Sequence, residues 1–181
     1  MNLDSMYREV ILDHYKHPHG KGLAEPFDAE VHHVNPTCGD EVTLRIRLSG
    51  TGDDPVIETV SFDGQGCAIS QASASVLHDQ VSGIRLSEAF TMVDEFSSLM
   101  RSATEKTQPN EELLGDAIAF EGVAQYPARI KCALLSWMAF KDAAVQATGQ
   151  TVTNSAVTGN AMTNSAMTNS AVTFDGEEEI S

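Results

Sequence analysis

Basic residues are scarce in this sequence: 11 Lys and Arg stand against 26 Asp and Glu, a formal net charge of −15. That balance argues against nucleic acid or an anionic membrane as partner. It favours a basic protein surface, or plain solubility. Part of the acidic excess is local, with Asp175, Glu177, Glu178 and Glu179 near the end of the chain. Cysteine is also sparse. Cys38, Cys67 and Cys132 are an odd number, so they cannot all pair as disulfides. No run approaches the roughly 18 apolar residues of a membrane span. The opening residues lack the basic and apolar regions of a signal peptide. A cytoplasmic, reducing compartment is the expectation, where cysteines serve as ligands or nucleophiles rather than staples.

What is present suits one domain with a real core: 181 residues at 41% hydrophobic. Leu3, Met6, Tyr7, Val10, Ile11 and His14 recur at helical spacing, which predicts an amphipathic helix over 3–15 ended by Pro18 and Gly20. Residues 28–34 make a first strand. Val42, Leu44, Ile46 and Leu48 alternate with polar residues in a second strand, and 56–62 make a third. Gly64 and Gly66 then stop the sheet. Helices follow from Ile69 to Val81 and from Ser87, as N-cap, to Met100. Residues 101–111 read as loop, and Leu113, Leu114 and Ile118 as a short helical piece. A last helix starts at Pro127 and runs to about Ala147. The expected fold is α+β: a small antiparallel sheet of about three strands packed against several helices. Residues 1–147 form the domain. Residues 148–181 carry a pentad repeat (Thr163-Asn164-Ser165-Ala166-Met167 is one copy) and an acidic end. This tail reads as disordered, because it has too little apolar surface to offset ordering entropy; a β-solenoid is the sharper alternative.

The chemistry gathers at Asn35-Pro36-Thr37-Cys38-Gly39-Asp40. Pro36 biases Asn35 towards extended backbone, and Gly39 lets the chain turn between a thiol and a carboxylate two positions apart. Cys67 follows the turn Asp63-Gly64-Gln65-Gly66, just before a helix whose free N–H groups stabilise a thiolate. Cys132 lies in the second turn of the last helix, where plain core packing is the competing reading. Three cysteines and one aspartate on three elements would make a four-coordinate site of zinc type. Asp40 reads either as a ligand or as a turn residue capping backbone N–H groups. Two histidine groups also stand out. His14, His17 and His19 read as H-x2-H-x-H, or as a helix C-terminus complementing the dipole. Of His32 and His33, in the first strand, one is expected to face solvent.

The order of motifs is Asn35-Pro36-Thr37-Cys38-Gly39-Asp40, then Gly64-Gln65-Gly66-Cys67-Ala68-Ile69-Ser70-Gln71-Ala72-Ser73, then Tyr126-Pro127-Ala128-Arg129-Ile130-Lys131-Cys132. With the helix before them, these resemble the IscU/NifU-like proteins of iron–sulfur cluster assembly over residues 3–147, and the SufU branch in particular. Asp13-His14-Tyr15 and Pro18 fit that branch. So does Lys131, at the position before the third cysteine where IscU proteins carry a histidine.

The resemblance implies an IscU/SufE-like fold and a Zn2+ ion held by Cys38, Asp40, Cys67 and Cys132. It implies a sulfur acceptor for a SufS-type cysteine desulfurase, with Cys38 receiving the sulfur, rather than an autonomous multi-turnover enzyme. Other Suf assembly proteins are further expected partners. A scaffold carrying a transient iron–sulfur cluster uses the same residues and is the rival reading, as is a purely structural zinc site. Arg129, about one turn before Cys132, either lowers a thiolate pKa, pairs with the partner, or is simply solvated.

Overall fold

The fold is that of a computed structural model, which describes residues 2–149. The repeat-bearing segment from 150 onward lies outside the described residues. Three strands, β1 (Ala29–Asn35), β2 (Asp40–Ser49) and β3 (Val56–Gln65), form an antiparallel sheet in the order β1-β2-β3. Five helices surround it: α1 (Leu3–Lys16), α2 (Ala68–Val81), α3 (Leu86–Glu105), the single turn α4 (Glu111–Leu114) and α5 (Pro127–Thr148). A 3₁₀ segment, Gly115–Gln125, joins α4 to α5. The expected α+β class with one small antiparallel sheet is what forms.

Alternation dictates the sheet. Along β1, Ala29, Val31, His33 and Asn35 are buried while the residues between them face water. Along β2, Asp40, Val42, Leu44 and Ile46 take the inward positions. Helix α5 lies across β1 and β2 on that face, and α2 packs beside β3. Asn35 pairs with Asp40 at the end of the β1–β2 ladder, so the motif loop becomes the hairpin turn, with Gly39 at φ 71°.

β3 departs from the expected alternation. Arg47 pairs with Thr59 but Leu48 pairs with Ile57, leaving Glu58 as an extra residue. The bulge puts both Ile57 and Val60 inside. Nor does Gly64 end the sheet: it pairs with Val42, and a Cβ there would collide with the Glu41 carbonyl. Ser87 is not the cap of α3. The helix starts at Leu86, and the Ser87 amide and hydroxyl donate to Asp54 at 2.9 and 2.8 Å. Its other end runs past Met100 to Glu105, where Lys106 turns left-handed at φ 51°. Helix α1 forms as expected from an Asn2 cap, but Leu3 and Met6 are 56% and 50% exposed. Its first turns overhang a groove instead of lying on the core.

The core locks α2 to α5. Trp137 stacks on Phe96 with centroids 4.2 Å apart, and Phe120 meets Phe96 edge-on at 5.8 Å. The buried Trp137 indole donates to Ser73 Oγ at 2.9 Å, and Ser73 donates to the Ala133 carbonyl at 2.6 Å. These bonds tie the two helices just beyond Cys67 and Cys132, fixing the ends that carry the thiols.

Candidate metal centre

Each element delivers one donor. The β1–β2 turn presents Cys38, β2 begins with Asp40, Cys67 is the N-cap of α2, and Cys132 sits in α5 one turn past Pro127. The ligand atoms of Cys38, Asp40 and Cys132 all lie within 4.8 Å of one another. Cys38 Sγ is 3.2 Å from Asp40 Oδ2 and 3.2 Å from Cys132 Sγ. Cys67, the fourth expected ligand, lies outside that group of three and meets it through the carboxylate: its thiol is 3.7 Å from Asp40 Oδ2, and its amide donates to Asp40 Oδ1 at 3.0 Å. That amide is a free N–H at the first turn of α2, so Asp40 also caps the helix. Of the two readings of Asp40, capping is met by Oδ1, and Oδ2 faces the Cys38 and Cys67 sulfurs.

Access is graded. Cys38 is exposed, Cys67 half-buried and Cys132 buried. Asn35, buried beneath the turn, donates from Nδ2 to Cys38 Sγ at 2.9 Å, while its Oδ1 accepts the Thr37 amide. Gly66 completes the cradle. A Cβ there would stand 2.8 Å from Asp40 Oδ1 and would collide with Ser70 Oγ. Neither Asn35 nor Gly66 stood out as a site residue in the sequence. The only hint was that both flank cysteines in turn motifs.

Burial and mutual hydrogen bonding shift two of the four groups. Burial, then hydrogen bonding to Cys38 and Asp40, then the nearby charges of Cys67 and Asp40 push the Cys132 thiol far up. Burial also pushes the Asp40 carboxyl up, but hydrogen bonds from Cys132, Cys38 and Cys67 outweigh it and hold Asp40 below its ordinary value. A bound cation would oppose that upward push on Cys132 and favour its thiolate. The donor set fits zinc, which takes sulfur at about 2.3 Å and oxygen at about 2.0–2.2 Å in a tetrahedron. The 3.2 Å separation of the Cys38 and Cys132 sulfurs is shorter than the roughly 3.8 Å edge of such a tetrahedron, so a zinc ion held by both would require them to spread by about 0.6 Å.

The other candidates fall elsewhere. Arg129 lines a groove of about 820 Å³ with Tyr7, Arg8, Glu121 and Tyr126. No hydrogen bond or ion pair joins its side chain to the four donors among the described residues. His32 is exposed and lies 2.9 Å from Thr43 Oγ1, whereas buried His33 meets Asp142 at 3.1 Å. His17 pairs with Asp13, not with His14 or His19. No helix among the described residues is long and apolar enough to cross a membrane.

Comparison with known proteins shows the family of the chain. The family model of the NifU-like N terminal domain matches residues 6–133. The chain is 40% identical over 148 residues to the zinc-dependent sulfurtransferase SufU of Bacillus subtilis, covering 82% of this chain and 95% of that protein. It is 39% identical over 141 residues to the iron–sulfur cluster assembly scaffold protein IscU of Streptococcus pyogenes, covering 78% and 84%. Among solved structures, a putative SUF-system scaffold protein from Fervidobacterium islandicum superposes with a TM-score of 0.63 at 36% identity, covering 79% of this chain and 99% of that one. With its three cysteine motifs in order and a lysine ahead of the third, the chain belongs to the NifU-like N-terminal domain family, in its SufU branch.

Proposed function

We propose that this protein is a zinc-dependent sulfur-transfer component of iron–sulfur cluster assembly, accepting persulfide sulfur from a SufS-type cysteine desulfurase. Cys38, Asp40, Cys67 and Cys132 are the zinc ligands, and Cys38 is the acceptor. The observation that carries the reading is the convergence of one exposed thiol, one buried thiol and one carboxylate within 4.8 Å. The name of the Bacillus relative, a zinc-dependent sulfurtransferase, supports it.

Bound zinc supplies a charge that keeps thiolates deprotonated near neutral pH and adds no redox chemistry. The chain's own residues do the rest. The Cys38 turn, hinged at Pro36 and Gly39, swings its sulfur outward at modest cost, whereas Cys132 would have to unwind α5. The freed Cys38 thiolate attacks the outer sulfur of the donor's persulfide. The donor S–S bond breaks, its cysteine leaves as thiolate, and Cys38 carries the new S–SH group. Asn35 Nδ2, already 2.9 Å from Cys38 Sγ, donates to the sulfur while it is off the metal. Arg129, which lines a groove and among the described residues makes no hydrogen bond to the four donors, would serve a partner's acidic group rather than the thiolates.

The scaffold reading is favoured by the name of the Streptococcus relative. Metal analysis of the purified protein decides between them: zinc alone supports transfer, and iron with sulfide supports the scaffold. Desulfurase turnover must also rise when the protein is added; an unchanged rate would reduce the site to a structural one.

A further inference from the structure

A second cluster of metal-ligating side chains lies away from the cysteines. It is built from α1, the loop after it, and α2. We propose that His14, His19 and Asp79, with Asp116 beside them, form a second metal site for a divalent first-row transition ion. The ligand atoms of His14, His19 and Asp79 lie within 4.8 Å of one another. His19 Nδ1 is 2.6 Å from Asp79 Oδ2, and the His14 and His19 rings meet edge-on with centroids 5.2 Å apart. Asp116, at the start of the 3₁₀ segment, brings a carboxylate 3.8 Å from His14 Nε2.

The supporting shell is present too. His14 is 5% exposed, and its Nδ1 lies 2.8 Å from Ser75 Oγ. The same oxygen accepts the His19 amide at 2.8 Å. A hydroxyl has two lone pairs and one proton, so Ser75 can hold the His19 amide and still pair with His14 Nδ1 in either tautomer. Its Nε2 faces Asp116, and an ion bound at Nε2 would select the Nδ1–H form donating to Ser75. A ligating imidazole whose other nitrogen is held by a hydrogen bond is the usual arrangement at a metal. His19 and Asp79 are the adjustable members, with side chains 51% and 37% exposed. Side-chain rotation brings their donors to the roughly 3.3 Å spacing that bonds of about 2.0–2.1 Å require.

The donor set selects the ion. Imidazole with carboxylate and no thiolate suits zinc, cobalt, nickel or iron(II), whereas magnesium and calcium take oxygen ligands. The site is separate from the cysteine centre. Cys67 caps the start of α2 and Asp79 lies near its end, roughly 18 Å away at 1.5 Å per residue. An ion here would clip α1 and its loop to α2 and the 3₁₀ segment.

The test uses the full chain with zinc already in its cysteine site. It is dialysed against Co2+, and cobalt, zinc and the visible spectrum are measured together. The expected result is a second ion per chain with weak d–d bands, no thiolate-to-cobalt charge transfer and no loss of zinc. His19→Ala and Asp79→Ala should abolish this uptake and leave the zinc in place. Ser75→Ala, which removes only the supporting hydroxyl, should weaken it by about 10- to 100-fold. Three results would overturn the proposal: no second ion, cobalt uptake unchanged in His19→Ala and Asp79→Ala, or thiolate charge-transfer bands showing that cobalt had merely displaced zinc. In the first two cases His19 and Asp79 form an ordinary ion pair.

Discussion

Asn35 holds Cys38 from beneath: its side-chain amide donates to the cysteine sulfur at 2.9 Å while its side-chain carbonyl accepts the Thr37 amide at 3.2 Å. The hairpin turn is thus braced by the residue that also supports the thiol. Asn35→Ala removes the Nδ2 hydrogen bond to Cys38 Sγ, worth about 1.5–3 kcal/mol towards the thiolate that the proposed transfer step requires. Desulfurase turnover stimulated by this protein should fall roughly ten- to a hundredfold, with zinc content unchanged. Loss of zinc along with activity would mean that Asn35 serves only to shape the turn.

Gly66 offers a way to disturb the metal without touching a ligand. The Cβ of Gly66→Ala would press on Asp40 Oδ1 and on Ser70 Oγ. Displacing the carboxylate should weaken zinc binding by about 10- to 100-fold, as other outer-shell changes do. Competition with a chelator measures this, and wild-type affinity in the variant would show that Asp40 is not a ligand.

Cys67→Ser and Cys132→Ser should lose zinc and, because binding and folding are coupled, lose stability as well. A loss of about 3 kcal/mol lowers Tm by about 6–12 °C in a domain of this size. Cys132→Ser protein that keeps full zinc and an unchanged Tm would break the ligand set.

The pH dependence of stability has a separate handle at Asp54. Hydrogen bonds from the Ser87 amide and then its hydroxyl hold the Asp54 carboxyl below its ordinary value. A group depressed in the folded state contributes stability above its unfolded pKa of about 3.9 and loses it as pH falls through the folded value. Wild type should therefore be more stable than Asp54→Ala at pH 7, and the gap in urea midpoints should close in strong acid. A gap independent of pH would contradict this.

Much of this was legible in the sequence because it is local. Gly39 between a thiol and a carboxylate specifies a tight turn, Cys67 precedes an Ala/Ser-rich helix, and Pro127 marks a helix start; all three positions came out as expected. Non-local contacts decided what was missed. Ser87 looked like a cap, but Asp54, across a loop, takes its amide. Strict alternation over 56–62 puts Glu58 on one face with Val60 and Phe62, but the sheet register makes it an exposed bulge residue. The histidines of α1 could be read as a spacing pattern. His17 pairs with Asp13 at the ordinary i,i+4 spacing, but only the fold brings His19 to Asp79, sixty positions away.

The central claim is that Cys38 receives the sulfur, and a covalent map tests it most directly. Wild-type protein is incubated with a SufS-type desulfurase and cysteine, quenched, digested, and its cysteine peptides weighed. A persulfide adds one sulfur to one thiol, so the assignment needs no inference from stability. The account predicts the adduct on Cys38, the exposed thiol on the movable turn. An adduct chiefly on Cys67 or Cys132, or no adduct with iron and sulfide bound instead, would contradict it.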